Sequence, residues 1–215
     1  MDLFDGTTDL QPARHQLADG AVLLRGLAAR SQSELLAALH DVVAQAPFRH
    51  MMTPGGHQMS VAMTNCGALG WITDRTGYRY APTDPETARP WPAMPPPFCE
   101  LARQAAAEAG FGGFSPDACL INRYQPGARM SLHQDRDEQD LGAPIVSVSL
   151  GLPAIFLFGG LKRSDKPWRF RLEHGDVVVW GGPARLAFHG VAPLADGEHD
   201  LVGRQRINLT FRKAR

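Results

Sequence analysis

The sequence predicts a mainly β fold with flanking helices, an α+β chain whose second half forms a double-sheet jelly roll. Two observations support this prediction. Eight short apolar or alternating segments follow one another after residue 117, and the turns between them carry Gly, Pro and Asp. Two segments with helical spacing of apolar residues precede them. The predicted strands span residues 118–124, 130–135, 145–150, 154–158, 170–173, 177–180, 187–191 and 206–211.

The beginning of the chain predicts an arm followed by one domain. Residues 1–20 show no clean period, which indicates a loose N-terminal arm. The apolar run 21–24 predicts a short buried strand. We therefore expect a single domain over residues 21–215, with the jelly-roll core in residues 117–215.

Two helices are expected before the strand-rich half. Ser31 and Glu34 have the spacing of a capping box, which predicts a helix that begins there and ends before Pro47. The second helix has its apolar stripe between residues 98 and 109, and Gly110 is a natural C-terminal stop.

Residues 48–96 differ in composition from the rest of the chain. They are rich in Gly, Pro, Met and aromatic residues, and the part after Asp84 is a Pro-rich connector. Met and aromatic side chains form an adaptable, partly apolar surface, and cations beside stacking rings suit a nucleobase and its phosphates. Arg75 and Arg79 are such cations. The plain alternative is a small aromatic cluster that packs on the main core.

Charge and composition exclude several classes of protein. Lys plus Arg and Asp plus Glu number 22 each, so the chain is not a basic protein that wraps a long duplex. The three cysteines are widely spaced, which argues against a disulfide framework or a zinc–thiolate site. The acidic N-terminus lacks a signal pattern, and no apolar run is long enough for a bilayer. We expect a cytoplasmic, monomeric protein without a membrane partner.

A His-x-Asp pair provides the first candidate site. His133 and Asp135 are two residues apart, so an extended chain would project both side chains to the same face. His189, several strands later, is a candidate third ligand, although a lone His among apolar residues is more often a core residue with a satisfied hydrogen bond. Two His and one carboxylate form the facial triad of non-haem Fe(II) oxygenases.

The last predicted strand has one apolar face and one polar face. Ile207, Leu209 and Phe211 alternate with a second set of residues: Arg206, Asn208, Thr210 and Arg212. The polar set predicts either an exposed strand with solvated charges or an inward face that holds an anion. Two guanidiniums on either side of an amide suit a dicarboxylate. Asn122 and Tyr124, which share one face of their strand, would add neutral hydrogen bonds.

Five segments together resemble the AlkB family of Fe(II)/2-oxoglutarate-dependent alkylation-repair dioxygenases. They occur in the expected order with compatible spacing, over the chain from about residue 20 onward: MSVAMTNCG at 59–67, CLINRY at 119–124, SLHQD at 131–135, PIVSVSLG at 144–151 and RINLTFR at 206–212. One position departs from the family pattern, because His57 stands where an aromatic residue is expected.

The resemblance implies a double-stranded β-helix, which is a jelly-roll variant, with residues 48–96 as a nucleotide-recognition lid. It implies Fe(II) bound by His133, Asp135 and His189. The residues that it implies for 2-oxoglutarate are Arg206, Tyr124 and Asn208 at the far carboxylate, with Arg212 and Asn122 nearer the iron.

The resemblance also implies a set of residues for the damaged base. Trp71 would stack on the flipped base with the His133 ring on its other side, and Tyr78 and Tyr80 would contact the nucleotide backbone. The base pocket would be lined by Asp137 and Arg163.

The implied activity is oxidative demethylation of bases such as 1-methyladenine and 3-methylcytosine, in single- or double-stranded DNA and also in RNA. It consumes 2-oxoglutarate and O2 and releases formaldehyde and succinate. Two alternatives remain at this point. One is an Fe(II)/2-oxoglutarate hydroxylase of a protein or small molecule, which the neutral net charge favours. The other is a non-catalytic jelly-roll binding module.

Overall fold

The computed structural model describes residues 13–215. The predicted arm falls largely on residues 1–12, which lie outside this range. Its remaining part differs from the prediction, because Arg14–Ala18 is a strand that pairs antiparallel with Ala21–Leu24. This short strand was not recognised in the sequence, since its side chains are mostly exposed and carry little apolar signal.

The described chain contains two α-helices and two short 3-10 helices. The α-helices are α1 (Gln32–Gln45) and α2 (Pro96–Glu108), and the 3-10 helices are Leu27–Ser31 and Gly182–Ala184. The strands in chain order are β1 (Arg14–Ala18), β2 (Ala21–Leu24), β3 (Arg49–Met52), β4 (Gln58–Gly67), β5 (Gly70–Asp74), β6 (Gly77–Ala81), β7 (Ala118–Tyr124), β8 (Met130–His133), β9 (Ile145–Gly151), β10 (Ala154–Phe158), β11 (Trp168–Leu172), β12 (Val177–Trp180), β13 (His189–Val191) and β14 (Arg206–Arg212).

The strands form a large sheet, a small sheet and a hairpin. The large sheet has eight strands in the order β1-β2-β12-β9-β14-β7-β4-β3, and the small one has four in the order β11-β10-β13-β8. β5 and β6 form the separate hairpin. The two sheets with two helices confirm the predicted mainly β jelly-roll fold. Within residues 13–215, neither α-helix is long and apolar enough to cross a membrane.

The two faces of β14 contact different parts of the interior. Ile207, Leu209 and Phe211 pack with α1 and α2 on one face of the large sheet, where Phe211 meets Phe98 edge to face. The polar alternate residues of β14 face the other way and line a cavity. Apolar surface buried on the helical side contributes about 25 cal/mol per Å², and this burial stabilises the sheet that carries those polar groups.

The capping box at the start of α1 does not form. The chain enters α1 directly from the 3-10 helix, so the Ser31 hydroxyl donates back to the Ala28 carbonyl at 3.5 Å and makes no cap hydrogen bond. The predicted end of α1 before Pro47 is confirmed. Helix α2 begins at Pro96, where a proline at the first turn has no amide hydrogen to leave unpaired.

Residues 48–96 contribute to two sheets. β3 and β4 extend the large sheet, because β4 pairs with β7 over six residue pairs. The β5–β6 hairpin stands apart from that sheet and carries Trp71 and Tyr78. This hairpin brings Trp71 and Tyr78 to the lining of a cavity from outside the large sheet.

Candidate metal centre

Three side chains from two neighbouring strands meet at one point. β13 pairs with β8 so that His189 lies directly opposite His133, and Asp135 follows the end of β8. His133, Asp135 and His189 each offer one ligand atom, and these atoms lie within 4.8 Å of one another. The Nε2 atoms of His133 and His189 lie 3.7 and 3.8 Å from the Asp135 carboxylate. The structure thus brings together the three residues that the sequence predicts as metal ligands.

Backbone carbonyls orient both imidazole rings. Nδ1 of His133 lies 2.9 Å from the Ser131 carbonyl oxygen, and Nδ1 of His189 lies 3.0 Å from that of Ala187. With its proton on Nδ1, each ring donates to that oxygen and leaves the Nε2 lone pair toward Asp135. Such hydrogen bonds fix the tautomer of metal-binding histidines.

The charges at this point suit a divalent cation. Burial lowers the pKa of His189 to about 4, with a further contribution from His133, so the ring is neutral at neutral pH. Burial alone would raise the pKa of Asp135, but Arg212 and the two imidazoles outweigh it and hold that pKa well below its usual range. A neutral imidazole and an ionised carboxylate are the forms that bind metals. The donor set fits Fe(II) with open coordination positions.

Arg206 provides a buried cation with unused donors in the cavity that the metal ligands also line. It is 1% exposed and donates from one terminal nitrogen to the Ser149 hydroxyl at 2.9 Å. Its Nε and other terminal nitrogen have no hydrogen-bond partner among the described residues. Its guanidinium carbon lies 5.1 Å from the centre of the Tyr124 ring. Burying a guanidinium without an acidic partner costs free energy. A carboxylate bound in the cavity would supply that partner.

The second arginine of β14 is already paired. Arg212 donates from Nε and a terminal nitrogen to one oxygen of Asp135, at 2.9 and 2.7 Å. Its Nε also lies 3.4 Å from Glu138. Arg212 therefore lies at the metal end of the cavity, and Arg206 lies at the other end of β14, in the order that the family resemblance implies for 2-oxoglutarate.

The two asparagines differ in what they can still bind. Asn208 donates to the Ser147 hydroxyl and the Val148 carbonyl, and its side-chain oxygen accepts from Thr210 and Asn122. The Asn122 side-chain oxygen, in contrast, is buried without a partner among the described residues. Both residues line the cavity, but only Asn122 has a free polar atom there.

The predicted base-binding residues surround the same cavity, with one exception. The cavity encloses about 940 Å³, and Trp71, Tyr78, Asp137 and Arg163 line it together with the three metal ligands. The Trp71 indole donates to Asp137 at 2.9 Å and stacks on Tyr78 with ring centres 5.6 Å apart. Arg163 lies 5.9 Å from the centre of the Phe188 ring.

Tyr80 is the exception and lies outside the cavity lining. Its hydroxyl donates to Glu138 at 2.5 Å, and burial raises the pKa of Tyr80, so the phenol remains a donor. The contact between Tyr80 and a nucleotide backbone stays a prediction.

Sequence reasoning missed a buried ionic group behind the metal ligands. Arg185 pairs with Glu138 at 3.0 Å and donates to the Asp135 carbonyl at 2.7 Å. Glu138 also contacts Arg212, so two acids and two guanidiniums neutralise one another. In the sequence, the one signal for this ionic group was that Glu138 lies close to the His-x-Asp motif. No pattern around Arg185 indicated a role.

The serines of β9 and one tryptophan were also missed. Ser147 and Ser149 alternate with valines in the sequence, which was a usable signal that they face the polar side of β14. Trp180 lies 4.8 Å from the His189 ring centre and completes the apolar wall. No sequence pattern distinguishes it from a core residue.

The fold and the site together define a class of enzyme, the Fe(II)/2-oxoglutarate-dependent dioxygenases. The model of the 2OG-Fe(II) oxygenase superfamily matches residues 20–212. The alpha-ketoglutarate-dependent dioxygenase AlkB of Escherichia coli is 60% identical over 214 residues, which cover 100% of this chain and 98% of that protein. The chain therefore belongs to the 2OG-Fe(II) oxygenase superfamily and, within it, to the AlkB family. Its cofactor is Fe(II), and its co-substrates are 2-oxoglutarate and O2.

Two more distant matches support the same assignment. The tRNA demethylase abh1 of Schizosaccharomyces pombe is 32% identical over 160 residues, covering 68% of this chain and 53% of that protein. The structure of OsALKBH1 superposes with a TM-score of 0.82 at 28% identity, covering 94% of this chain and 100% of that one. The two-sheet architecture is thus shared with a solved structure over nearly the whole chain.

Proposed function

We propose that this enzyme removes methyl groups oxidatively from N-alkylated bases such as 1-methyladenine and 3-methylcytosine. DNA is the expected substrate and RNA a second candidate. Each turnover converts one methyl group, one O2 and one 2-oxoglutarate into formaldehyde, succinate and CO2. The cationic ring loses one proton with the methyl group, so the ring nitrogen regains its lone pair. The observation that supports this most is that the metal triad, the unsatisfied Arg206 and the Trp71–Tyr78 pair all line one cavity.

The metal end of the cavity holds the oxidising centre. Fe(II) and 2-oxoglutarate supply the oxygen-activating chemistry when bound. His133, Asp135 and His189 hold the metal. Arg206, with Tyr124 and Asn208, binds the far carboxylate of the keto acid, and its two unused donors are the groups available for that contact.

Arg212 and Asn122 act nearer the metal. Arg212 keeps Asp135 ionised and aims its carboxylate, because two donors converge on one oxygen. The unpartnered oxygen of Asn122 is an acceptor, like a carboxylate, so the amide must rotate and present its NH2 group before Asn122 can donate to the keto acid. Arg212 thereby holds the metal end of the keto-acid site in place before substrate enters.

The hairpin end of the cavity accepts the base. Trp71 supplies a stacking face, and the family resemblance places the His133 ring on the other side of the base. Tyr78 is half exposed, which leaves it free to contact the nucleotide backbone. Asp137 and Arg163 line the pocket. A methylated ring that carries positive charge stacks favourably on an indole, and the Asp137 carboxylate adds an electrostatic attraction.

The pocket also explains selection of damaged bases over intact ones. A methyl group on the Watson–Crick edge blocks pairing, so such a base costs less free energy to flip out of a stack. The cavity needs the base to leave its helix, because the metal ligands His189 and Asp135 are almost fully buried. We propose that the enzyme acts as a cytoplasmic monomer.

The test is formaldehyde release from oligonucleotides that contain one methylated base. DNA single strands, DNA duplexes and RNA with 1-methyladenine or 3-methylcytosine would be compared with unmethylated strands, with iron and 2-oxoglutarate present. We expect formaldehyde in equal amount to succinate from at least one methylated strand. Succinate without formaldehyde from any of them would instead assign the enzyme to hydroxylation of another substrate.

A further inference from the structure

A row of four aromatic side chains crosses the whole small sheet. His133 on β8 lies opposite His189 on β13, which in turn lies opposite Phe158 on β10. Phe158 lies opposite Trp168 on β11. Directly opposed residues on neighbouring strands project from the same face, so Trp168 leaves the sheet on the face that carries both imidazoles. Because strands are spaced about 4.8 Å apart, its backbone lies about 10 Å from that of His189.

Trp168 is exposed although the next ring in the row is buried. Phe158 is 2% exposed and Trp168 is 74% exposed, more than any other large apolar residue that the structure describes. β11 is the edge strand of its sheet, so no further strand covers the indole. A single exposed apolar residue is ordinary, and its meaning depends on what surrounds it.

The surroundings of Trp168 are strongly basic. Residues 161–171, which we call the basic segment, contain five cations and one acid in a chain of zero net charge: Lys162, Arg163, Lys166, Arg169, Arg171 and Asp165. Asp165 accepts from the Lys162 amide at 3.1 Å and so faces its own loop. Of the five cations, only Arg171 has an acidic partner, Glu173, among residues 13–215. The other four have their charge available for a ligand.

The basic segment begins at the wall of the active site. Gly159 donates to the Phe188 carbonyl at 2.7 Å, and the Phe188 amide donates to the Gly160 carbonyl at 2.9 Å. Phe188 precedes the metal ligand His189, and Arg163 lines the base cavity. The basic segment therefore connects the cavity lining to the exposed indole along the chain.

We propose that Trp168, with Lys162 and Lys166, forms a second nucleic-acid contact outside the base cavity. Arg169 follows Trp168 on β11 and leaves the sheet on the opposite face, so it takes no part. The indole stacks on an unpaired base a short distance along the strand from the flipped nucleotide, and the cations neutralise the phosphates between them. Exposed aromatic rings beside cations are the combination that binds single strands without sequence preference. The contact rests on the proposed demethylase function and favours single strands, because a base held in a duplex cannot stack on the indole.

The test compares two substrates of different length with the same central 1-methyladenine. One is a DNA single strand of about 15 nucleotides, which exceeds the span of a single contact site, and the other is a trinucleotide. Trp168→Ala is expected to lower kcat/KM on the long strand at least about fivefold, the size of one stacking contact, and to leave the trinucleotide unchanged. Trp168→Phe should restore most of the activity on the long strand.

The charge contribution has its own variant. Lys162→Gln combined with Lys166→Gln should weaken binding of the unmethylated long strand. The slope of log affinity against log salt should fall by roughly 0.7 for each phosphate that the variant no longer neutralises. Leu201→Ala, which shortens another exposed apolar side chain outside the basic segment, is the matched control and should change neither substrate.

Three results would overturn the proposal. Equal reductions of kcat/KM on both substrates would give Trp168 a structural role, and no reduction on either would leave this surface to a protein partner. If the wild-type enzyme released no formaldehyde from either substrate, both the proposed function and this contact would be wrong. In contrast, an active wild type whose Trp168→Ala variant shows no length dependence removes only the second contact.

Discussion

Arg212 places two of its nitrogens on a single oxygen of Asp135, at 2.9 and 2.7 Å. Asp135 is a metal ligand, and its other oxygen lies 3.7 Å from the ligand nitrogen of His133. The same guanidinium thus aims the carboxylate and places positive charge at the metal end of the cavity. This pair links the metal site to the keto-acid site.

Replacement of Arg212 by Ala should weaken 2-oxoglutarate binding at least about tenfold, since hydrogen bonds from a charged donor contribute roughly 1.5–3 kcal/mol. Iron affinity should fall less, because the three ligands remain. Separate titrations of iron and of 2-oxoglutarate check this expectation. Equal reductions in both affinities would mean that Arg212 acts through Asp135 alone.

Replacement of Arg206 by Met should have opposite effects on activity and on stability. The KM for 2-oxoglutarate should rise, because the two unused donors are removed. The free energy of unfolding without keto acid should rise by about 1 kcal/mol or more, because a buried and unpaired charge is removed. Steady-state kinetics gives the KM, and thermal unfolding without 2-oxoglutarate gives the stability. A less stable variant with unchanged KM would show that Arg206 is structural.

Replacement of Trp71 by Ala should weaken binding of a methylated strand at least about fivefold, as expected when a stacking ring is removed, and should spare iron binding. Trp71→Phe keeps a stacking ring and removes only the hydrogen bond to Asp137. Binding by fluorescence anisotropy compares the two variants. If Trp71→Phe binds as weakly as Trp71→Ala, the hydrogen bond matters and stacking does not.

Replacement of Arg185 by Met should lower the free energy of unfolding by roughly 3–5 kcal/mol, because it leaves the buried Glu138 with one cation fewer. The matched control is Arg204→Met, which removes a pair between Arg204 and Asp196 that is exposed on both sides. Exposed pairs contribute little, so the control should unfold near the wild-type temperature. Similar Tm values for both variants would contradict a stabilising role of the buried ionic group.

The parts of the site that follow from local pattern were predictable. Alternation along β14 predicted which side chains share a face. Successive side chains of any strand point to opposite faces, so this prediction does not depend on the neighbouring strands. The alternative of an exposed strand for residues 206–212 is wrong, because every residue of β14 is buried. His133 and Asp135 were recognised by spacing, although β8 ends at His133 and Asp135 follows it.

The parts that depend on distant contacts were not predictable. Glu138 and Arg185 are 47 residues apart, and only the folded chain brings them together. Tyr78 and Tyr80 share a face of β6 by alternation, but the sequence does not indicate how deep each one lies. Tyr80 reaches Glu138, whereas Tyr78 remains at the mouth of the cavity.

The central claim is that His133, Asp135 and His189 hold the iron that demethylates a base in the adjoining cavity. The most direct measurement is formaldehyde released per succinate formed on a 1-methyladenine strand, for the wild-type enzyme and His189→Ala, with folding verified by circular dichroism. We expect a ratio near one for the wild type and no formaldehyde from the folded variant. Formaldehyde release by His189→Ala at the wild-type rate would contradict the claim.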